Sequence, residues 1–299
     1  MPVRVLVIGG HGFLGGHIRR RLAADGWDVV AAGRTPRPGC VRLDLSVDRV
    51  TQVAKRLVEV APDAVVNCAG AIAGDPAALA AANVTGPATL LEGLVLAGAG
   101  PRLVHLGSAA EYGEVETGIP VREQAPTRPV SAYGATKLAG TRLVRLARAT
   151  GLDAVVLRVF NTVGPGSPAT SLPGRIAGEL ARALAEDGAV RLGPLDVVRD
   201  FVDPRDVADA VHAALTVGAL DHPVLNVGSG TAVPTRALVD ELLAITGFTG
   251  AVRCDAAGSP RSGAVPWQQA DIAATRTALG WRPRRDLTTS LGDLWKTLS

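Results

Sequence analysis

The stretch VRVLVIGGHGFLGGHIRRRL, Val3–Leu22, decides the reading of this chain. Val3–Ile8 is a short apolar, β-branched run that predicts a buried strand. Gly9, Gly12 and Gly15 follow three residues apart, and a helix is predicted over Phe13–Asp25. In such a strand–turn–helix the first glycine permits a tight turn and the second lets a pyrophosphate approach the backbone. The third lets helix and strand pack closely. The helix start contributes unpaired N–H groups and the positive end of its dipole. Glycines that merely shape a turn would read the same way. Their position between an apolar strand and a helix instead favours a nicotinamide-dinucleotide turn, with Gly9, Gly12, Phe13, Leu14 and Gly15 at the cofactor.

The pattern then repeats. Strands are predicted at Asp28–Ala32, Ala64–Asn67, Arg102–Leu106 and Ala154–Val159, and helices at Val47–Val60, Ala77–Ala97 and Ala132–Ala149. Alternation of this kind predicts an α/β fold, a doubly wound parallel sheet of the Rossmann type. After Gly164 a loop rich in Gly, Pro and Ser (GPGSPATSLPG) changes the rhythm. Short strands are predicted at Ala189–Leu192, Arg199–Val202, Pro223–Val227 and Ala251–Cys254. The expected division is a dinucleotide-binding domain over residues 1–165 and a smaller C-terminal α/β substrate lobe over 166–299, with some segments returning to the first domain.

Composition supports a large core. Hydrophobic residues make up 47% of the 299, whereas aromatics are only 3%, so aliphatic side chains must build it. The net charge of +3 comes without a basic run interleaved with aromatics, so no nucleic-acid partner is expected. Cys40, Cys68 and Cys254 are scattered and form no CxxC, which suits a reducing, cytoplasmic compartment. The first apolar run is too short for a membrane span, and no membrane partner is expected. His11, His17, His105, His212 and His222 show no ligand spacing, so structural roles and no metal are expected.

Two further places carry chemistry. The second strand ends in VVAAGRTPRPG, where an acid would bind a ribose 2′-hydroxyl and an arginine would accommodate a 2′-phosphate. Gly33, Arg34 and Thr35 stand there, with Arg37 nearby, so Arg34 points to NADP(H) over NAD(H); an ordinary surface arginine is the other reading. Later, SAYGATKLAG places Tyr133 and Lys137 four residues apart, on one face of a helix turning about 100° per residue. A nearby cation favours the phenolate of a tyrosine that otherwise titrates near about 10. Ser108 closes an apolar strand, at the sheet edge where such folds place ligands, and can hydrogen-bond a carbonyl oxygen.

With these motifs in hand, the chain resembles the extended short-chain dehydrogenase/reductase family, especially members that modify nucleotide sugars. The resemblance rests on GGHGFLG, Asp44-Leu45, NCAG (Asn67–Gly70), NVTG (Asn83–Gly86), GSAAEYG, YGATK and LRVFNTVGP (Leu157–Pro165). It continues in RDFVDPRDVADAV from Arg199, NVGSG from Asn226, and LGWRP. It implies that Tyr133 is the general acid/base, that Lys137 holds the nicotinamide ribose, and that Ser108 orients the reacting group. It further implies that Asp44 and Leu45 flank the adenine, that Ala69 and Gly70 line the cofactor cleft, and that Asn161 touches the substrate. Arg199 and Arg261 would grip a diphosphate, as guanidinium pairs bidentately with phosphate oxygens. A homodimer built on the helices from Ala77 and Ala132 is the assembly the resemblance implies.

The departures select among reactions. The family's sugar dehydratases carry acids after the serine or threonine, whereas Ala109 and Ala110 follow Ser108 here and Glu111 is shifted in register beside Tyr112. Dehydration is therefore not expected. The expectation is an NADPH-dependent ketoreductase acting on a nucleotide-linked 4-keto-6-deoxy sugar. The alternative is a nucleotide-sugar 4-epimerase with tightly bound NAD. A non-catalytic, cofactor-binding regulatory module is the remaining class, and the presence of both Tyr133 and Lys137 speaks against it.

Overall fold

A computed structural model of the chain describes residues 2–98, 100–186, 188–255 and 265–298. The opening reads β1 (Arg4–Ile8), α1 (Phe13–Ala24), β2 (Asp28–Gly33), β3 (Cys40–Arg42), α2 (Val50–Val60) and β4 (Ala64–Asn67). Next come α3 (Pro76–Ala80), α4 (Gly86–Leu96), β5 (Arg102–Ser108), α5 (Ala132–Ala149) and β6 (Ala154–Val159). The later part contains β7 (Asn161–Thr162), α6 (Leu172–Glu186), β8 (Val190–Arg191), β9 (Val198–Val202), α7 (Pro204–Thr216) and β10 (Val224–Val227). It ends with β11 (Ala232–Pro234), α8 (Thr235–Thr246), β12 (Val252–Arg253), α9 (Ala273–Leu279) and α10 (Leu287–Trp295).

Among the described residues, one parallel sheet has the order β10-β6-β5-β4-β1-β2-β3. The chain steps outward from β1 through β2 and β3, then returns to β4 on the other side of β1. The reversal opens a crevice at the carboxyl ends of β1 and β4, which is where such sheets bind ligands. Val5, Val7, Val66 and Val104 face α1, α7 and α9 in one core layer; Leu6, Ile8, Val65 and Leu103 face α2, α4 and α5 in the other. Both faces are covered, which is why these strands are apolar throughout. β10, from the chain's second half, completes the sheet beside β6. A third core gathers α6, α8 and α10 around β8 and β9 through Ile176, Leu180, Leu238 and Leu291.

Several expected boundaries change. The helix expected from Val47 begins at Val50, because residues 44–48 are tied into a turn: Asp44 N donates to the Asp48 carboxylate at 2.6 Å. The helix expected over Ala77–Ala97 is three segments, with a π-turn at Ala81–Thr85 between α3 and α4. Pro87, in the first turn of α4, has no N–H to return to the Asn83 carbonyl, and the backbone opens there. The freed carbonyl lies against α5, where a Cβ on Gly140 would sit 2.5 Å from it. Taken together, Pro76–Leu96 is apolar and long enough to cross a membrane, yet half of that window is buried. Leu79, Leu90 and Leu94 are buried in it. Three short strands, β3, β7 and β11, had no signal of their own in the sequence.

Candidate active site

The glycine turn is shaped by contacts no other residue tolerates. Gly9 has φ +77°, and a Cβ on it would lie 2.8 Å from Ala69 N. A Cβ on Gly15 would collide with Gly9 O, so the third glycine lets α1 press onto the turn. No side chain caps α1 at Gly12, and the first N–H groups of a helix have no intrahelical partner. This narrow cradle fits a dinucleotide diphosphate. Phe13 stacks edge-on to His17 at 5.5 Å, and Leu14 packs on the core. His17 Nε2 lies 2.9 Å from Pro165 O, linking α1 to the loop that follows β7.

At the outer end of the crevice, Arg34 and Arg37 are exposed beyond Gly33, the last residue of β2. His11 lies 3.1 Å from Arg19, and burial, Arg19 and Arg37 together hold its imidazole below the usual range. Asp44 spends its carboxylate on Ser46, with Oγ at 2.6 Å, and Leu45 is buried against Gly86. Ala69 is half-buried and Gly70 is exposed on the cleft wall. A Cβ on Gly70 would meet Asn83 Oδ1 at 2.8 Å and approach Lys137 Nζ at 3.9 Å, so this glycine keeps the wall open beside the lysine.

At the inner end, Ser108 is the last residue of β5 and Tyr133 and Lys137 lie in the first turns of α5. Ser131 caps that helix through Gly134 N at 3.1 Å. Lys137 is buried and Nζ donates to Leu106 O at 2.5 Å, which anchors the ammonium at the end of β5, two residues from Ser108. Burial lowers its pKa, while Glu111 and Cys68 oppose that shift. Ser108 Oγ accepts from Ala110 N at 3.2 Å. Tyr133 and Ser108 are both partly exposed.

Of the residues expected at the substrate, Asn161 on β7 donates to Asp200 O at 3.3 Å. Arg199 on β9 is buried and donates to Val198 O at 2.7 Å and Val265 O at 2.6 Å. Burial pushes its guanidinium down to about 10. Arg261 lies outside the described residues.

Five further neighbours, none of them expected at the site, shape it. Asn83 stands in the π-turn, where Oδ1 accepts Ala71 N at 3.0 Å and Nδ2 donates to Thr136 Oγ1 at 3.1 Å. The Asn-Val-Thr-Gly motif was its signal. His105 lies beneath Lys137, neutral well below its normal pKa through burial and the lysine's charge. Asn67 Oδ1 accepts Ala69 N, so its Nδ2 donates to His105 Nδ1 at 3.1 Å and fixes the imidazole tautomer. Gln268 reaches across from the C-terminal part to donate to Ala109 O at 3.0 Å. Glu111 is fully buried, and nothing in its sequence position announces that.

A Rossmann sheet with a dinucleotide cradle and a Ser–Tyr–Lys set on β5 and α5 defines a class of NAD(P)-dependent oxidoreductases and epimerases. The profile of the NAD dependent epimerase/dehydratase family matches residues 5–228, and the chain belongs to that family. It is 38% identical over its whole length to a dTDP-6-deoxy-L-talose 4-dehydrogenase (NAD(P)(+)) of Kitasatospora kifunensis, covering 96% of that protein. The UDP-glucose 4-epimerase of Thermus thermophilus, solved with NAD, is similar at 28% identity and TM-score 0.86, with 99% of this chain and 98% of that one covered. RMD from Pseudomonas aeruginosa, solved with NADPH, is similar at 27% identity and TM-score 0.84 over the same shares. The chain is thus an enzyme of the NAD(P)-dependent oxidoreductase/epimerase type.

Proposed function

We propose that this enzyme is an NADPH-dependent ketoreductase of a nucleotide-linked 4-keto-6-deoxy sugar. The observation that carries the reading is the end of β2, where Gly33 is followed by the exposed Arg34 and residues 33–39 (GRTPRPG) contain no acid to meet a ribose 2′-hydroxyl. The similarity to an enzyme named for oxidation at C4 of a dTDP-6-deoxy sugar supports the same carbon and substrate class, since reduction is that reaction reversed. Ala109 and Ala110 offer no acid to drive loss of water.

Bound nicotinamide supplies the hydride. The remaining steps belong to the chain. Ser108 orients the C4 carbonyl oxygen, and Tyr133 hands its hydroxyl proton to that oxygen as the alkoxide forms. Lys137 holds the ribose and, as a cation pinned to Leu106 O, stabilises the phenolate left behind. Arg199 and Asn161 hold the diphosphate and sugar from the β9 and β7 side. The homodimer expected on the run from Ala77 (α3 and α4) and on α5 remains part of this proposal.

The test is to purify the protein, release and identify its cofactor, and assay dTDP- and GDP-linked 4-keto-6-deoxy sugars with NADPH and NADH. An empty site with NADPH-dependent reduction at C4 is expected. Stoichiometric, tightly held NAD with C4 inversion and no net redox would establish the 4-epimerase instead. Titration with a nucleoside diphosphate that showed no binding would remove the nucleotide-sugar assignment.

A further inference from the structure

Glu111 has no part in the chemistry just described, yet it is the most heavily engaged carboxylate near Ser108. Its Oε1 accepts Ser108 N at 2.8 Å and Thr141 Oγ1 at 2.9 Å. Its Oε2 accepts Arg158 Nε at 2.7 Å, and the side chains of this ion pair are 0% and 3% exposed. Thr141 lies one helical turn beyond Lys137 on α5, so one carboxylate joins the end of β5 to the helix that carries Tyr133 and Lys137. The backbone makes room for it: a Cβ on Gly107 would lie 2.7 Å from Oε1. The same loop touches the start of α5, where a Cβ on Gly134 would collide with Ala110 O.

We propose that Glu111 is a positioning residue for the reduction, holding the Ser108 backbone at a fixed distance from the Tyr133–Lys137 helix. The proposal rests on the ketoreductase reading. Buried ion pairs add little stability over apolar residues of equal volume, so what this one supplies is geometry. Arg158 is itself fixed: its guanidinium stacks 4.5 Å from the Tyr112 ring, and it donates to Glu123 O at 3.2 Å. The Tyr112 hydroxyl donates to Asn226 Oδ1 at 2.6 Å on β10, so the pin is braced from two further strands.

Glu111 also faces Lys137 electrostatically. The other groups packed against the pair are Arg158 on β6, Tyr112, and Cys68 and His105 on the β4–β5 side. The Cys68 thiol and the Tyr112 phenol are each pushed up to about 12 by burial, and His105 is neutral.

The experiment compares Glu111→Gln and Thr141→Val with the unmodified enzyme. The glutamine keeps the shape but removes the charge and sets an N–H₂ against Arg158. The valine cuts the tie to α5 and leaves the ion pair intact. Expected for Glu111→Gln are an NADPH Kd within about twofold, kcat lower by about tenfold or more, and KM for the keto sugar little changed. Thr141→Val should lower kcat by about threefold with NADPH Kd and KM little changed, and it stands in should Glu111→Gln fail to fold. Unchanged kcat in folded variants, or loss of activity matched by loss of NADPH binding, would overturn the proposal. The NADPH readout needs no sugar, so failure of the ketoreductase reading is seen separately, as absence of keto-sugar reduction in the unmodified enzyme.

Discussion

Lys137 and Arg199 are both buried cations, and their surroundings equip them for different work. Lys137 is lowered by burial but has the carboxylate of Glu111 opposing that shift, and its ammonium sits on a backbone carbonyl. Arg199 donates to two carbonyls and at about 10 still carries its charge at neutrality. Such a guanidinium is suited to meet phosphate oxygens. In the proposed mechanism Tyr133→Phe removes the proton donor without touching the cradle: NADPH affinity should persist while kcat falls by about 10²-fold or more, read by fluorescence titration and steady-state assay. Arg34→Asp should reverse cofactor choice, lowering kcat/KM for NADPH against NADH by about tenfold or more, because a carboxylate repels the 2′-phosphate and accepts from the 2′-hydroxyl. Equal use of both cofactors before and after the change would remove Arg34 from the site.

Among the elements, the break between α3 and α4 has the clearest cause and consequence. Pro87 frees the Asn83 carbonyl, the π-turn presents the Asn83 side chain to Ala71 and Thr136, and Gly140 lets α5 close on the freed oxygen. Gly140→Ala should therefore destabilise the fold by about 1–3 kcal/mol and lower turnover, as α5 is pushed away from the cleft. Thermal melting checks the first effect, and unchanged stability would show that the helices have slack. The break did have a signal that the expected helix over Ala77–Ala97 ignored: Pro87 falls in its interior, where proline removes a backbone hydrogen bond; what the sequence did not show is that the break takes the form of a π-turn. β4 and β6 were legible to the residue, since each is a continuous apolar run. β3, β7 and β11, each of two or three residues, were not.

For the whole molecule, the buried imidazoles give stability a direction in pH. His105 is held well below its usual pKa, and His17 and His212 are also lowered, in each case chiefly by burial. Above the unfolded value of about 6.5 both states are neutral and these groups contribute nothing. As pH falls below it the unfolded chain takes up protons that the fold refuses, and stability declines by up to about 1.4 kcal/mol per pH unit for each such group. The carboxyls of Asp200 and Asp206, raised by burial, act in the opposite sense only nearer their own range. The melting temperature should therefore drop between pH 6.5 and 5.5, and His105→Gln should flatten that slope; an identical slope would show that His105 is not the refused site.

The sequence by itself determined the strand–turn–helix at Gly9 and the parallel Rossmann sheet, and it singled out Ser108, Tyr133 and Lys137 as the candidates for the proposed chemistry. All of these follow from local rules: period, glycine spacing and side-chain chemistry. The tertiary structure decided what those residues touch. Lys137 meets Leu106 O across 31 positions of chain, Arg158 meets Glu111 across 47, and Gln268 meets Ala109 across 159. Glu111 was legible only as an acid out of register. Its role as a buried pin depends on an arginine from another strand and on the space left by Gly107, and no local pattern encodes a partner that only folding brings near.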